Sequence, residues 1–142
     1  MKISARNVFQ GSISTITPGS VNTEVEITLG GSDKVIAVVT NDSVHTLGLA
    51  IGKAVTALIK ASSVLVMTDS HGILLSARNV LAGKVSKLSN GQVNSEVAIT
   101  LTSGATLYAT ITHDAVTELG IKEGVAASAV FKASSVIIGV TG

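Results

Sequence analysis

Ser4-Ala5-Arg6-Asn7-Val8 returns unchanged as Ser76-Ala77-Arg78-Asn79-Val80, and Lys60-Ala61-Ser62-Ser63-Val64 returns as Lys132-Ala133-Ser134-Ser135-Val136. Both recurrences use the same offset of 72 residues. Sliding the whole chain by that offset gives about 29 identities over about 70 pairs without a gap, so the chain is one module written twice. Between the two motifs, Gly11 matches Gly83, and Gly19-x-Val21-Asn22-x-Glu24-Val25 matches Gly91-x-Val93-Asn94-x-Glu96-Val97. Thr40-x-Asp42 matches Thr112-x-Asp114, and Leu47-Gly48 matches Leu119-Gly120. Two copies are too few for a solenoid, so each is expected to close on itself, with boundaries at 1–70 and 71–142. Units of about 70 residues are only marginally stable alone, which predicts that the two lie against each other.

Within one copy the strand signals are strong. Ile3 to Ile16 reads as a long strand bent at Gly11, and Pro18-Gly19 as a turn. Val21 to Leu29 alternates in character, and Gly30-Gly31-Ser32 turns the chain into Val35 to Thr40. Thr40 to Leu47 reads as a short helix, capped by Thr40 and stopped by Gly48. Lys53 to Lys60 and Val64 to Met67 supply the last strands. The expected fold is all-β: two tandem five-stranded OB-type barrels, each with one short helix between strands 3 and 4.

Composition narrows the function. Charged residues are 13% of the chain, about half the usual share, and hydrophobic residues are 46%. A surface so poor in charge predicts partner subunits, hence a homo-oligomer. The net charge of +1 gives no field for steering nucleic acid or an acidic membrane. With three aromatics, Phe9, Tyr108 and Phe131, there is no stacking platform for single strands, so no nucleic-acid partner is expected. No apolar run approaches the roughly 20 residues that span a bilayer, and Met1-Lys2-Ile3-Ser4 has no signal-peptide layout. The absence of cysteine excludes disulfides and thiolate metal sites and fits an intracellular location. A small, very polar ligand fits this composition best.

The chemistry concentrates in the two repeated motifs. Arg6 and Arg78 are the only arginines of the chain and occupy one repeat position. A guanidinium offers a rigid fork of donors suited to an oxyanion; the alternative is a strand-end ion pair. Lys60 and Lys132 add a compact charge, and Ser62 and Ser134, like Ser4 and Ser76, add hydroxyls beside the backbone N–H groups of Ala5, Ala77, Ala61 and Ala133. Thr40 and Thr112 begin the expected helices, where free N–H groups favour anions. Asn22 and Asn94, after Val21 and Val93, either bond their own turn or form a second kind of anion site. Glu24 and Glu96 recur as single carboxylates on an exposed strand face, read as solvated or interfacial. His45, His71 and His113 share no repeat position and make no metal spacing, and no nucleophile–base set recurs. No catalytic residue, metal-cation site or phosphate-loop motif is therefore expected. With no carboxylate in the motif set, donors alone suit a fully ionised tetrahedral dianion. Phosphate at neutral pH keeps a proton that needs an acceptor.

The Ser-Ala-Arg-Asn and Lys-Ala-Ser motifs, with the Val-Asn-x-Glu-Val segments, make the chain resemble the molybdate-binding Mop, or molbindin, family. The resemblance covers almost the whole chain and is closest to the free-standing tandem members, which are cytoplasmic molybdate stores. It implies storage and buffering of molybdate or tungstate in the cytoplasm, without an organic cofactor, by a trimer holding oxyanions at subunit interfaces. It further implies two kinds of site. One joins the Ser-Ala-Arg of one module (Ser4, Ala5, Arg6; Ser76, Ala77, Arg78) and the helix-start threonine (Thr40; Thr112) to the Lys-Ala-Ser of another (Lys60, Ala61, Ser62; Lys132, Ala133, Ser134). The other, on the threefold axis, is assigned to Val21, Asn22, Val93 and Asn94. The alternative within the family is a sensing or transport-associated module that acts through a partner; a nucleic-acid-binding OB barrel is the more distant one.

Overall fold

The computed structural model describes residues 1–31 and 33–141. The first repeat forms β1 (Asn7–Pro18), β2 (Asn22–Gly30), β3 (Asp33–Thr40), α1 (Asn41–Leu47), β4 (Ala54–Ile59) and β5 (Leu65–Met67), with a single 3-10 turn at Ala61–Ser63. The second forms β6 (Asn79–Ser89), β7 (Asn94–Leu101), β8 (Thr106–Thr112), α2 (His113–Leu119), β9 (Ala126–Phe131) and β10 (Ile137–Gly139), with its 3-10 turn at Ala133–Ser135. The all-β character and the order of three strands, a helix and two strands are as expected. Among the described residues, no helix is long and apolar enough to cross a membrane.

The first strand starts at Asn7 rather than Ile3, because the ladder with β4 begins at the Asn7–Ile59 pair. At Gly11, where the sequence suggested a bend, the ladder keeps its register and the glycine instead admits a close approach. A Cβ on Gly11 would sit 2.6 Å from the Thr28 carbonyl oxygen and 2.8 Å from Ile27 Cγ2, so only glycine lets β1 cross β2 this closely. Bulges at Ser14 and Ser86 then turn β1 and β6. Both helices are ended as read from the sequence. The Thr40 hydroxyl accepts from Ser43 N–H at 3.1 Å, the Thr112 hydroxyl accepts from Ala115 N–H at 3.1 Å, and Gly48 and Gly120 close the last turn with φ of 63° and 65°.

The sheets do not follow the repeat boundaries at 1–70 and 71–142. One sheet runs β10-β4-β1-β2-β3 and the other β5-β9-β6-β7-β8, so each repeat gives its fifth strand to the other. The cause lies in the 3-10 turns. The Ala61–Ser63 turn packs against β8 of the opposite repeat and the Ala133–Ser135 turn against β3, so the chain leaving each turn is already on the far side. There Leu65 pairs with Val130 and Ile137 with Leu58. Buried Val64 and Val136 anchor the crossings, and a single apolar cluster from Ile13 to Ile138 runs through both halves.

Two asparagines complete the junction. Asn7 Nδ2 donates to the Tyr108 carbonyl at 2.8 Å, while its Oδ1 accepts from Tyr108 N–H at 2.7 Å. Asn79 does the same for Ile36, with both bonds at 2.8 Å. Each amide thus satisfies one residue on the outer edge of the opposite repeat, β8 or β3, and each is 1% exposed. Asp33, also buried, adds two bonds that the other half, with Ala105 at the matched position, lacks: its carboxylate accepts from Thr102 Oγ1 at 3.1 Å and from Ser103 N–H at 2.9 Å.

Removing either asparagine amide leaves a buried N–H and C=O without partners. Asn7→Ala and Asn79→Ala should each lower unfolding free energy by about 2–5 kcal/mol in urea titrations. Asn7→Asp should also destabilise, because it faces the Tyr108 carbonyl with a second acceptor. Wild-type stability in Asn7→Ala would show that the amide does not hold the junction.

Candidate functional site

Asn7 enters its ladder opposite Ile59, and this register sets Ser4, Ala5 and Arg6 beside Lys60, Ala61 and Ser62. Lys60 stands before the 3-10 turn in extended conformation (φ −66°, ψ 136°) and its carbonyl accepts from Ser63 N–H at 3.0 Å. The two motif halves line one open pocket of about 390 Å³ with Ile3, Leu58, Thr110 and Ile137. Ser76, Ala77 and Arg78 meet Lys132, Ala133 and Ser134 in the equivalent pocket of about 300 Å³, with Val38. Both halves of a pocket therefore come from the same repeat, where the family resemblance implied different modules. The opposite repeat adds Thr110 from β8 and Ile137 from β10 to the first pocket, and Val38 from β3 to the second.

The opposite repeat also supplies a carboxylate that the motif set lacks. Glu96 grips Arg6 at two points, accepting from Nε at 2.9 Å and from Nη2 at 2.7 Å. The Tyr108 ring lies under the same guanidinium, 4.4 Å from Cζ. Glu24 holds Arg78 through one bond, from Nη2 at 2.9 Å. Glu24 and Glu96, read from the sequence as solvated or interfacial, thus pair the arginines across the junction between repeats. The hydrogen bond and charge of Glu96 push the Arg6 guanidinium further up, and Arg6 holds the Glu96 carboxyl below the usual carboxylate range. Glu26 is likewise lowered by its hydrogen bonds from Lys34 and Ser14. Among the described residues, neither Lys60 nor Lys132 has an ion-pair partner.

The remaining expected residues lie further off. Thr112 and Asn94 line a neighbouring pocket of about 400 Å³ that shares Ser62 and Thr110 with the first. Thr40 does not line either motif pocket; its hydroxyl is bonded to Ser43. Val21 and Val93 are 69% and 77% exposed. Their carbonyls accept from Asn41 N–H at 3.0 Å and His113 N–H at 2.8 Å, fixing the start of each helix. Asn22 and Asn94 are exposed and pair in register with Thr40 and Thr112. Sequence reasoning missed Asn7, Asn79, Tyr108 and Thr110. The first two were visible as polar residues at a repeated strand start; the other two come from a strand that no local pattern links to the motif.

A family model described as "TOBE domain" matches residues 3–66 and 75–138. The chain is 44% identical over 140 residues to the molybdenum transport protein ModE of Herbaspirillum seropedicae, covering 99% of this chain and 52% of that protein. It is 40% identical over 138 residues to the molybdenum-pterin-binding protein MopA of Rhodobacter capsulatus, covering 97% and 52%. The chain thus spans about half the length of these curated relatives. A crystal structure of the cytoplasmic molybdate-binding protein ModG, with molybdate bound, superposes with a TM-score of 0.96 at 55% identity, covering 99% of this chain and all of that one.

Because the Glu96 carboxyl is depressed in the folded chain, its pairing stabilises fully above the free glutamate value of about 4.3 and fades as pH falls through the folded value. Melting temperatures taken from pH 6 to pH 3 should fall less steeply in Glu96→Gln than in the unaltered chain. Identical slopes would mean that the Arg6–Glu96 pair adds nothing to the fold.

Proposed function

The chain belongs to the TOBE domain family through both of its repeats, and we propose that it binds and buffers molybdate, with tungstate as an alternative ligand. The observation that carries this reading is the meeting of Ser-Ala-Arg with Lys-Ala-Ser in one pocket per repeat, each with a lysine that has no carboxylate partner among the described residues. ModG, which shares the fold and more than half of its residues with this chain, was crystallised with molybdate, and MopA is described as molybdenum-pterin-binding. As for ModG, the location we propose is the cytoplasm.

The charges assign the roles. Each guanidinium is already neutralised by a glutamate, which leaves the lysine as the uncompensated charge facing the anion. Hydroxyls of Ser4 and Ser62 and N–H groups of the turn supply neutral donors. In the Arg6 pocket, Nη1 remains outside the two-point grip of Glu96, so the arginine contributes one arm and otherwise fixes the residues before β1. The glutamates do not turn the pockets into acceptor sites, because neither lines a pocket: Glu96 gives both oxygens to Arg6, and Glu24 gives one to Arg78. A fully ionised dianion still fits better than hydrogenphosphate, whose proton would find no acceptor. We propose no chemistry at the anion, because among the described residues the pocket serines have no base bonded to them.

We infer a homo-oligomer, specifically a trimer, as the working state. Ile3 and Leu75, Val8 and Val80, Val21 and Val93, and Leu65 and Ile137 are large apolar side chains exposed at matched positions of both repeats. A surface that repeats its apolar residues in this way suits burial against further copies. A second reading, a sensing module that acts through another domain, is favoured by the ModE relatives, of which the chain spans about half. A gel shift with operator DNA separates the two.

Lys60→Ala and Lys132→Ala should each weaken one set of sites by about 10- to 150-fold, the worth of a charge-assisted hydrogen bond. Arg6→Ala should weaken binding less and lower the melting temperature as well. Isothermal titration with molybdate, sulfate and phosphate, read beside native mass spectra for subunit count and bound anions, checks this. Full affinity in both lysine variants, or phosphate binding equal to molybdate, would refute the assignment.

A further inference from the structure

The two pockets of one chain share every motif residue, yet they differ in what the opposite repeat contributes. On β8 the buried residues Leu107 and Ala109 alternate with Tyr108 and Thr110, so Tyr108 and Thr110 share the face turned toward Arg6. Glu96 is the register partner of Thr110 on β7 and shares that face. In the other half the equivalent residues are Ile36 and Val38, with Glu24 opposite Val38. The Arg6 pocket is therefore lined by a hydroxyl and the Arg78 pocket, at the same place, by a methyl. Among the described residues the Thr110 hydroxyl has no hydrogen-bond partner, and no buried side-chain polar atom is left unpaired, so this hydroxyl is open to solvent at the junction of the Arg6 pocket and its neighbour, both of which Thr110 lines. Arg6 is held by two bonds and a ring, whereas Arg78 is held by one bond.

We propose that the two oxyanion sites of one chain are unequal, that the site of Arg6 and Lys60 fills before the site of Arg78 and Lys132, and that Thr110 against Val38 sets the order. This rests on the molybdate-binding reading above. Threonine and valine have nearly the same shape, so the exchange changes the chemistry of one atom: a donor in one pocket, a hydrocarbon surface against a dianion in the other. An oligomer of this chain then buffers over a wider concentration range than one with identical sites.

The test isolates each site with a lysine variant of the full chain and titrates it with sodium molybdate. Lys132→Ala, which keeps the Arg6 site, should bind about 5- to 20-fold more tightly than Lys60→Ala, which keeps the Arg78 site. Adding Thr110→Val to Lys132→Ala should remove most of that difference, and adding Val38→Thr to Lys60→Ala should recover part of it. The second substitution introduces a group, so a gain in affinity cannot arise from damage to the fold. Equal affinities in the two lysine variants, or unchanged affinity in both double variants, would overturn the inference while leaving the functional reading intact. No molybdate binding by the unaltered chain would overturn both.

Discussion

The molecule depends on two buried amides. A five-stranded sheet ends in an edge whose N–H and C=O groups must find partners, and here one residue of each edge finds them in an asparagine side chain of the opposite repeat. Few other side chains could serve, because the backbone edge presents one donor and one acceptor and the asparagine amide offers the complement. That contact fixes where β1 and β6 begin, and hence where the three residues before each strand must lie. The pocket-forming residues Ser4 to Arg6 and Ser76 to Arg78 are placed by this constraint rather than by their own conformational preferences.

Once the opposite edge is docked, the electrostatics follow. Glu96 and Glu24 sit on the strands next to the docked edges and reach the arginines that the asparagines have brought up. The pairs are more than a third exposed on the arginine side, so they add modestly to stability. Their larger effect is on charge: each removes a cation from the pocket and leaves the lysine to set its sign.

Much of this was legible in the sequence. The offset repeat, the special role of Gly11, the threonine caps and the glycine stops each rest on local chemistry, and local chemistry is what a sequence states directly. That the two motifs belong to one function was read from their joint recurrence, whereas their meeting within one repeat was not, since the pairing expected was between modules. The exchange of β5 and β10 was not, since strands of three residues carry no mark of the sheet they join. Nor was the partner of Arg6, because Glu96 lies in the other repeat and looks from sequence like any carboxylate on a solvated strand.

The exchanged strands bear on how the chain comes into being. The first barrel needs residues 137–139 to complete its sheet, and these are synthesised long after the strand they pair with. Leu58 waits for Ile137 across roughly 80 residues, a long closure for so small a protein. During translation the first repeat therefore presents an unfilled groove along β4, one that a fifth strand from another nascent copy would also fit. Having both repeats on one polypeptide keeps the matching strand at high local concentration, so the linker between the repeats acts as a safeguard against entanglement between neighbouring chains.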